Sequence, residues 1–206
     1  MDEYKKTIVL ASGNPGKLRE FALILTSFNY KVVPQSQFDV PDVPETGLSF
    51  VENALIKARN AAQCTGLPAM SDDSGIEVDA LSGAPGIYSA RFAGEGASDE
   101  DNNQLLLNKL KGIPDVQRAA RYHCVIVYMQ HANDPMPLIC QGSWEGRILN
   151  EPQGKNGFGY DPFFYVPTHD CTSAELLPDV KNQLSHRGQA LRALQYKLTE
   201  RNRLRD

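Results

Sequence analysis

Strand-like and helix-like stretches alternate along these 206 residues, which predicts an α/β fold. Three stretches carry that expectation. Thr7-Ile8-Val9-Leu10-Ala11 is a compact β-branched run that reads as a buried first strand, and Leu18, Phe21, Ala22, Leu25 and Phe28 then recur at helical spacing. Phe50, Ala54, Ala58, Ala61 and Ala62 form the inner stripe of a second helix over 50–63. Ala119 to Met129 alternates early and then turns fully apolar, as a central strand does. Its return is Pro137 to Gln141, across a turn at His131 to Pro135, so the two form a long hairpin. Gly142 to Ile148 continues the returning strand and carries the one tryptophan, Trp144.

Bulk composition narrows the function classes. Hydrophobic residues make up 41% of the chain and charged residues 22%, ordinary for a globular protein, and the length fits one domain over 1–206. No apolar run approaches the roughly 20 residues of a membrane span. Met1-Asp2-Glu3-Tyr4-Lys5-Lys6 has acidic residues and no long apolar core behind it, which argues against a secretion signal and for a cytoplasmic protein. The net charge of −4 gives no global pull on nucleic acid, so an anionic ligand must meet local cations. Cys64, Cys124, Cys140 and Cys171 stand apart, without metal-ligand spacing, and read as reduced thiols.

Between the first strand and helix lies Ser12-Gly13-Asn14-Pro15-Gly16-Lys17. A Gly-rich loop with a lysine at a helix N-terminus suits a phosphate: amides and helix dipole favour an anion, and the lysine adds a full charge. Walker A spacing is absent. The same residues also suit a plain strand-to-helix turn, and both readings stand. Lys31 to Val33 is a second strand, followed by a connection rich in proline (Pro34, Pro41, Pro44). Ser49 and Glu52 match a helix cap with its capping-box acid, which gives Glu52 a structural job. Glu45 lies in the preceding loop with no such job. Asn53 and Lys57, four apart, flank the alanine stripe and either line a cleft or face solvent.

Asp72 and Asp73 fall in Met70-Ser71-Asp72-Asp73-Ser74-Gly75, read as a junction between two extended segments. Adjacent carboxylates repel, and a bound cation relieves them; an Asp-Ser-Gly turn is the plainer alternative. Gly83 to Arg91 is a fixed loop, because two glycines bracket a proline. Its Arg91 suits an anion or a surface ion pair. Ser98 caps a structural helix with Leu105, Leu106 and Leu110 inside. His123, in the central strand, reads as a hydrogen-bonded structural histidine.

The second Gly-rich stretch runs from Gly154 to Phe164. Phe158 and Tyr160 offer aromatic faces, Gly157 and Gly159 allow close backbone approach, and Asp161 adds a carboxylate; a core aromatic corner is the plainer alternative. Ser173 to Leu176 starts a short helical turn that Pro178 interrupts, and Lys181 follows. Ser185 caps the last helix, whose buried face is Ala190, Leu191, Leu194 and Leu198. His186 and Arg187 in its first turn oppose the helix dipole, a local conflict expected at functional sites. The tail Arg201 to Asp206 reads as frayed.

Carboxylates at Glu45, Asp72 and Asp73, cations at Lys17 and Lys57, and the aromatic-acid set at 158–161 are what a Mg2+-dependent nucleoside triphosphate enzyme needs. In order, SGNPGK (12–17), ETG (45–47), SFVENALIKAR (49–59), DDSG (72–75), GAPGIYSAR (83–91), GFGYDP (157–162) and SHRG (185–188) closely resemble the inosine triphosphate pyrophosphatase family. Ser12 replaces the threonine of many relatives and keeps the hydroxyl. The resemblance implies an elongated mixed sheet flanked by helices in two lobes with the site in the cleft, and a homodimer. It implies hydrolysis of non-standard purine triphosphates (dITP, ITP, XTP) to the monophosphate and pyrophosphate. By the same resemblance Ser12 to Lys17 and Lys57 hold the triphosphate, Glu45 and Asp73 serve magnesium, and Asp73 activates water with Asp72 in support; Asn53 and Arg91 are further supporting candidates from their own positions. Ser74 contacts the nucleotide, Phe158, Gly159, Tyr160 and Asp161 hold base and sugar, and Lys181, His186 and Arg187 complete the base pocket. Two other readings fit the residues: a nucleotide sensor without hydrolysis, and a pyrophosphatase for other modified nucleotides.

Overall fold

In the computed structural model, residues 6–26 and 30–203 are described. The N-terminal stretch before Lys6, Phe28 of the first helical stripe, and the tail beyond Arg203 lie outside them. Among the described residues seven strands form one sheet: β1 (Lys6–Leu10), β2 (Tyr30–Pro34), β3 (Ala69–Val78), β4 (Ala119–Met129), β5 (Leu138–Ile148), β6 (Phe164–Val166) and β7 (Cys171–Thr172). Their order is β2-β1-β3-β4-β5-β6-β7. β1 pairs in parallel with β2 (Ile8 beside Val32) and with β3 (Leu10 beside Met70), while β6 is antiparallel to β5 and β7. The sheet is therefore mixed, as the resemblance implied. The helices are α1 (Pro15–Thr26), α2 (Phe50–Thr65), α3 (Asp99–Lys109), α4 (Pro178–Leu184) and α5 (His186–Arg203).

The chain divides into two compact units, one of Met1–Asp73, Cys124–Gln141 and Gln189–Asp206, the other of Ser74–His123 and Gly142–Gly188. In the first, the sheet is buried on both faces. Ile8, Leu10 and Met70 pack with Phe21 and Leu25 of α1 and Leu191 and Leu194 of α5. Val9 and Ala69, on the opposite face, pack with Ala54, Ala58 and Ala61 of α2. This two-sided burial explains why Thr7 to Ala11 reads as a continuous apolar run rather than an alternating one.

In the second unit only one face is apolar: Ile76, Val78, Tyr122, Trp144 and Phe164 pack with Leu106 and Leu110 of α3. The intervening residues pair across the strands instead. His123 Nδ1 lies 2.8 Å from Ser143 Oγ and its Nε2 3.2 Å from Glu77 Oε2, while Arg121 holds Asp79 and Glu145. His123 is thus a hydrogen-bonded strand residue.

Three local expectations change. β3 runs unbroken from Ala69 to Val78, so Asp72 and Asp73 sit inside a strand, not at a turn or junction. Aspartate is a poor strand former, and the ion pairs described below compensate. Pro178 begins α4 rather than interrupting a helix, because the first helical turn needs no proline N–H. Leu105 is only half-buried; Asn102 and Asn103 occupy the inner face of α3 with Leu106. The Ser49 cap holds, with its Oγ accepting from Glu52 N–H. Glu52 in turn accepts from Ser49 Oγ at 2.7 Å and Leu48 N–H at 2.9 Å, a structural occupation for that carboxylate.

Candidate active site

The period of two along β3 sorts the acidic cluster of the first unit. Met70 packs toward α1 and Ser71 toward α2, where its Oγ donates to the carbonyl of Ala54. Asp72 then points back toward α1 and meets Lys17 Nζ at 2.9 Å. Asp73 points toward α2 and meets Lys57 Nζ at 3.3 Å. The two adjacent carboxylates thus relieve their repulsion by facing opposite ways, each to its own lysine.

Glu45 completes the α2 side. Its Oε1 lies 2.7 Å from the same Lys57 Nζ, so one ammonium holds two carboxylates from chain segments 28 residues apart, Glu45 and Asp73. Gly47 sets the loop: its N–H donates to Asn53 Oδ1 at 2.8 Å, and a Cβ there would lie 2.5 Å from that of Glu52. The loop therefore lies flat on the first turn of α2, and Asn53, fully buried, anchors it. Burial pushes the Lys57 ammonium toward losing its proton, but the charges of Asp73, Asp72 and Glu45 outweigh this and its pKa stands above the ordinary lysine value. Burial likewise lifts Asp73 above the usual carboxylate value, against the pull of Lys57, and the Glu45 charge adds to the lift.

The loop at 12–17 caps its own helix. Asn14 Oδ1 accepts from Gly16 N–H at 2.8 Å and Lys17 N–H at 3.2 Å, and Ser12 Oγ accepts from Asn14 N–H at 3.2 Å. Pro15 stands at the first turn of α1, where its fixed φ fits. Two of the amides that an anion would use are engaged by a neutral side chain. A Cβ on Gly13 would meet nothing within 4 Å, so the outer side of the loop is open.

In the second unit, Asp161 organises the aromatic loop. Its buried carboxylate accepts from Phe158 N–H at 2.9 Å, Ser173 Oγ at 2.8 Å and Lys181 Nζ at 2.5 Å. Gly157 passes so close, at φ +80°, that a Cβ would lie 2.1 Å from Asp161 Oδ2. The two aromatics separate. Phe158 is 43% exposed, with Lys181 Nζ 5.4 Å and Arg187 Cζ 6.0 Å from its ring centre. Tyr160 is buried and donates its hydroxyl to Ser89 O at 2.7 Å; burial, and then the Asp99 charge, raise its pKa. Only Phe158 presents an open face.

Ser185 Oγ accepts from Gly188 N–H at 3.1 Å, so the cap of α5 is in place. His186 is buried, stacked 4.7 Å from the ring of Tyr122 with 8° between the planes. Arg187 donates from Nη2 to Ser74 Oγ at 3.2 Å, which brings two of the expected nucleotide contacts together. Arg91 lies 3.4 Å from Glu95 and over the Tyr88 ring. Two residues that sequence reasoning passed over also touch the aromatic loop: Asp99 and Asn103 of α3 bond the backbone of Gly159. Asparagines inside a helical run, poor helix formers, were the one oddity in the sequence, and they pointed to no partner.

Among the described residues no three His, Cys, Asp or Glu side chains converge as a metal cage. Glu45 and Asp73 suit Mg2+ nonetheless. This hard cation is usually held by one or two carboxylates, with water and substrate phosphates filling the remaining positions.

A profile of the Ham1 family matches residues 8–197. A protein of Vibrio cholerae named dITP/XTP pyrophosphatase is 61% identical over 198 residues, covering 96% of this chain and 98% of that one. The solved HAM1 protein of Coxiella burnetii superposes with a TM-score of 0.89 at 55% identity, over 95% of this chain and 99% of that chain. The Ham1 protein of Staphylococcus aureus gives a TM-score of 0.85 at 44% identity, over 95% and 100%. With matches this extensive in both sequence and fold, the chain belongs to the Ham1 family.

Proposed function

We propose that this protein hydrolyses non-standard purine nucleoside triphosphates, dITP, ITP and XTP, to the monophosphate and pyrophosphate, and so clears the nucleotide pool. The high identity to dITP/XTP pyrophosphatases supports the activity. The observation that carries the chemistry is the Lys57 ammonium shared by Glu45 and Asp73 at 2.7 and 3.3 Å. It sets a raised-pKa carboxylate beside a second acid and a cation.

Asp73 is the group that takes a proton from the attacking water, and a carboxyl lifted above its usual value is better matched to that task near neutral pH. Lys57, Lys17 and the loop from Ser12 through Gly13, Asn14, Pro15 and Gly16 bind the triphosphate and offset charge on the leaving pyrophosphate. Glu45 and Asp73 would hold Mg2+, which when bound would supply electrostatic stabilisation of phosphate charge. Asp72, through Lys17, and Asn53, through the Glu45 loop, keep these groups in place. Phe158 stacks on the base, and Gly159, Tyr160 and Asp161 shape its surroundings. Lys181, His186, Arg187 and Ser74 line the base side, with Arg91 in support. Arginine only donates hydrogen bonds, so it donates to the 6-keto oxygen of hypoxanthine or xanthine and mismatches the amino group of adenine.

The chain acts as one domain over 1–206, working as a cytoplasmic homodimer on free nucleotides without nucleic acid or membrane. No helix among the described residues is long and apolar enough to cross a membrane. The test is a panel of dITP, ITP, XTP, dATP, dGTP and dUTP with Mg2+, assayed for pyrophosphate, with a chelator control. Turnover of the first three well above the rest, lost with chelator, is expected. Binding without turnover would make the protein a sensor; preference for dUTP would overturn the base-side assignment. Light scattering at two concentrations checks the dimer.

A further inference from the structure

We propose that Asp99 and Asn103 are positioning residues for the base-stacking ring of Phe158, a role that rests on the purine-nucleotide reading above. The two side chains stand four residues apart on α3, hence on one face. Asp99 Oδ2 accepts from Gly159 N–H at 2.7 Å, and Asn103 Nδ2 donates to Gly159 O at 3.0 Å. One helix face thus grips both backbone polar groups of the residue that follows Phe158. On the other side, the Phe158 N–H is held by Asp161. The ring is therefore carried by a peptide segment fixed at both ends, while the ring itself stays open.

Neither residue caps the helix. Ser98 and Asp101 already close a complete capping box, which leaves the Asp99 carboxylate free of that duty. Asn102 and Asn103 are consecutive buried asparagines in a helix interior, where propensity disfavours them. Asn103 is 9% exposed and its Oδ1 has no hydrogen-bond partner, a cost an apolar residue would avoid. Flipping the amide would set its oxygen against the Gly159 carbonyl, so the orientation follows from the grip. Asn102 bonds differently: it accepts from Ala93 N–H and donates to Ala90 O, fastening the end of the Gly86–Arg91 turn and the residues just after it. Gly159 itself, at φ +60°, has nothing within 4 Å of an added Cβ. Its position is set by these two bonds and not by crowding.

The experiment uses the full chain with D99A, N103A and D99N. Losing one such bond displaces the ring, so D99A and N103A each raise KM for dITP about tenfold, with kcat within about twofold. D99N keeps an acceptor for the Gly159 N–H and brings KM back to within about threefold of wild type. Tripolyphosphate, which has no base, inhibits all four proteins equally. Hydrogen exchange on the nucleotide-free protein gives a second reading: the Gly159 amide loses protection in D99A while the β4 amides keep theirs. Unchanged KM in both alanine variants, equal KM in D99N and D99A, or a parallel loss of tripolyphosphate inhibition overturns the proposal. So does a Gly159 amide unaltered by D99A, which remains decisive if an alanine variant folds poorly. A wild-type protein inactive on every purine triphosphate sinks the functional reading instead, and the exchange measurement then still decides the grip.

Discussion

Lys17 Nζ lies 2.9 Å from Oδ2 of Asp72, whose side chain is wholly buried. The lysine expected to meet phosphate is therefore also the counter-ion of an internal carboxylate. Removing it does two separable things. K17M is expected to lower stability by about 3 kcal/mol, because a buried charge loses its partner, and to weaken triphosphate binding. The double variant K17M/D72N should recover most of the stability in urea titrations and none of the binding. If the double variant regains both, the lysine serves the fold alone.

Asp73→Asn removes a proton acceptor without changing the size of the side chain. Turnover of dITP should fall by about 10²–10⁴, with a melting curve close to that of wild type. Near-normal pyrophosphate release from this variant would remove Asp73 from its role.

Phe158→Ala should raise KM for dITP by the loss of about 1–3 kcal/mol of stacking, while Phe158→Tyr keeps the face and most of the affinity. Steady-state kinetics on both variants, with tripolyphosphate inhibition as the base-free control, checks this. Tyr160→Phe should instead act on stability, since it removes a buried hydroxyl donated to Ser89 O.

Asp134 makes a prediction in pH. Burial would raise its pKa, but the amides of Gln130 and Met136, with Arg201 and His131 nearby, outweigh burial and hold it below the usual value. A carboxyl depressed in the folded state contributes stability above its unfolded pKa of about 4 and loses that contribution as pH falls through the lower folded value. Asp134→Ala should therefore melt lower than wild type by about 2–4 °C per kcal/mol lost at pH 7, and the gap should narrow from about pH 4 downward. A gap that widens on acidification contradicts the assignment.

Local signals in the sequence identified the elements well where an apolar run or a capping hydroxyl marks them. Ala119 to Met129 is β4 as expected, and the Ser49, Ser98 and Ser185 caps stand where hydroxyls precede helical runs. Asp-Asp-Ser-Gly misled because its composition matches a turn, and the lysines that make it tolerable in a strand come from 55 and 16 residues earlier, Lys17 and Lys57. Once the strand is recognised, its two-residue period does separate Asp72 from Asp73 with no further information. The division between Phe158 and Tyr160 was not legible, since both are aromatic and only the Ser89 contact distinguishes them. Asp99 and Asn103 were hidden for the same reason: their partner, the Gly159 backbone, carries no side-chain signature.

Lys57 also bears on how the protein is handled. Because its ammonium already sits between Glu45 and Asp73, the acidic site arrives preassembled, with its like charges quieted from within. Folding should therefore not depend on a divalent ion, unlike that of a zinc finger. A preparation stripped with chelator should keep its melting temperature while idle, and wake on addition of magnesium without a refolding lag.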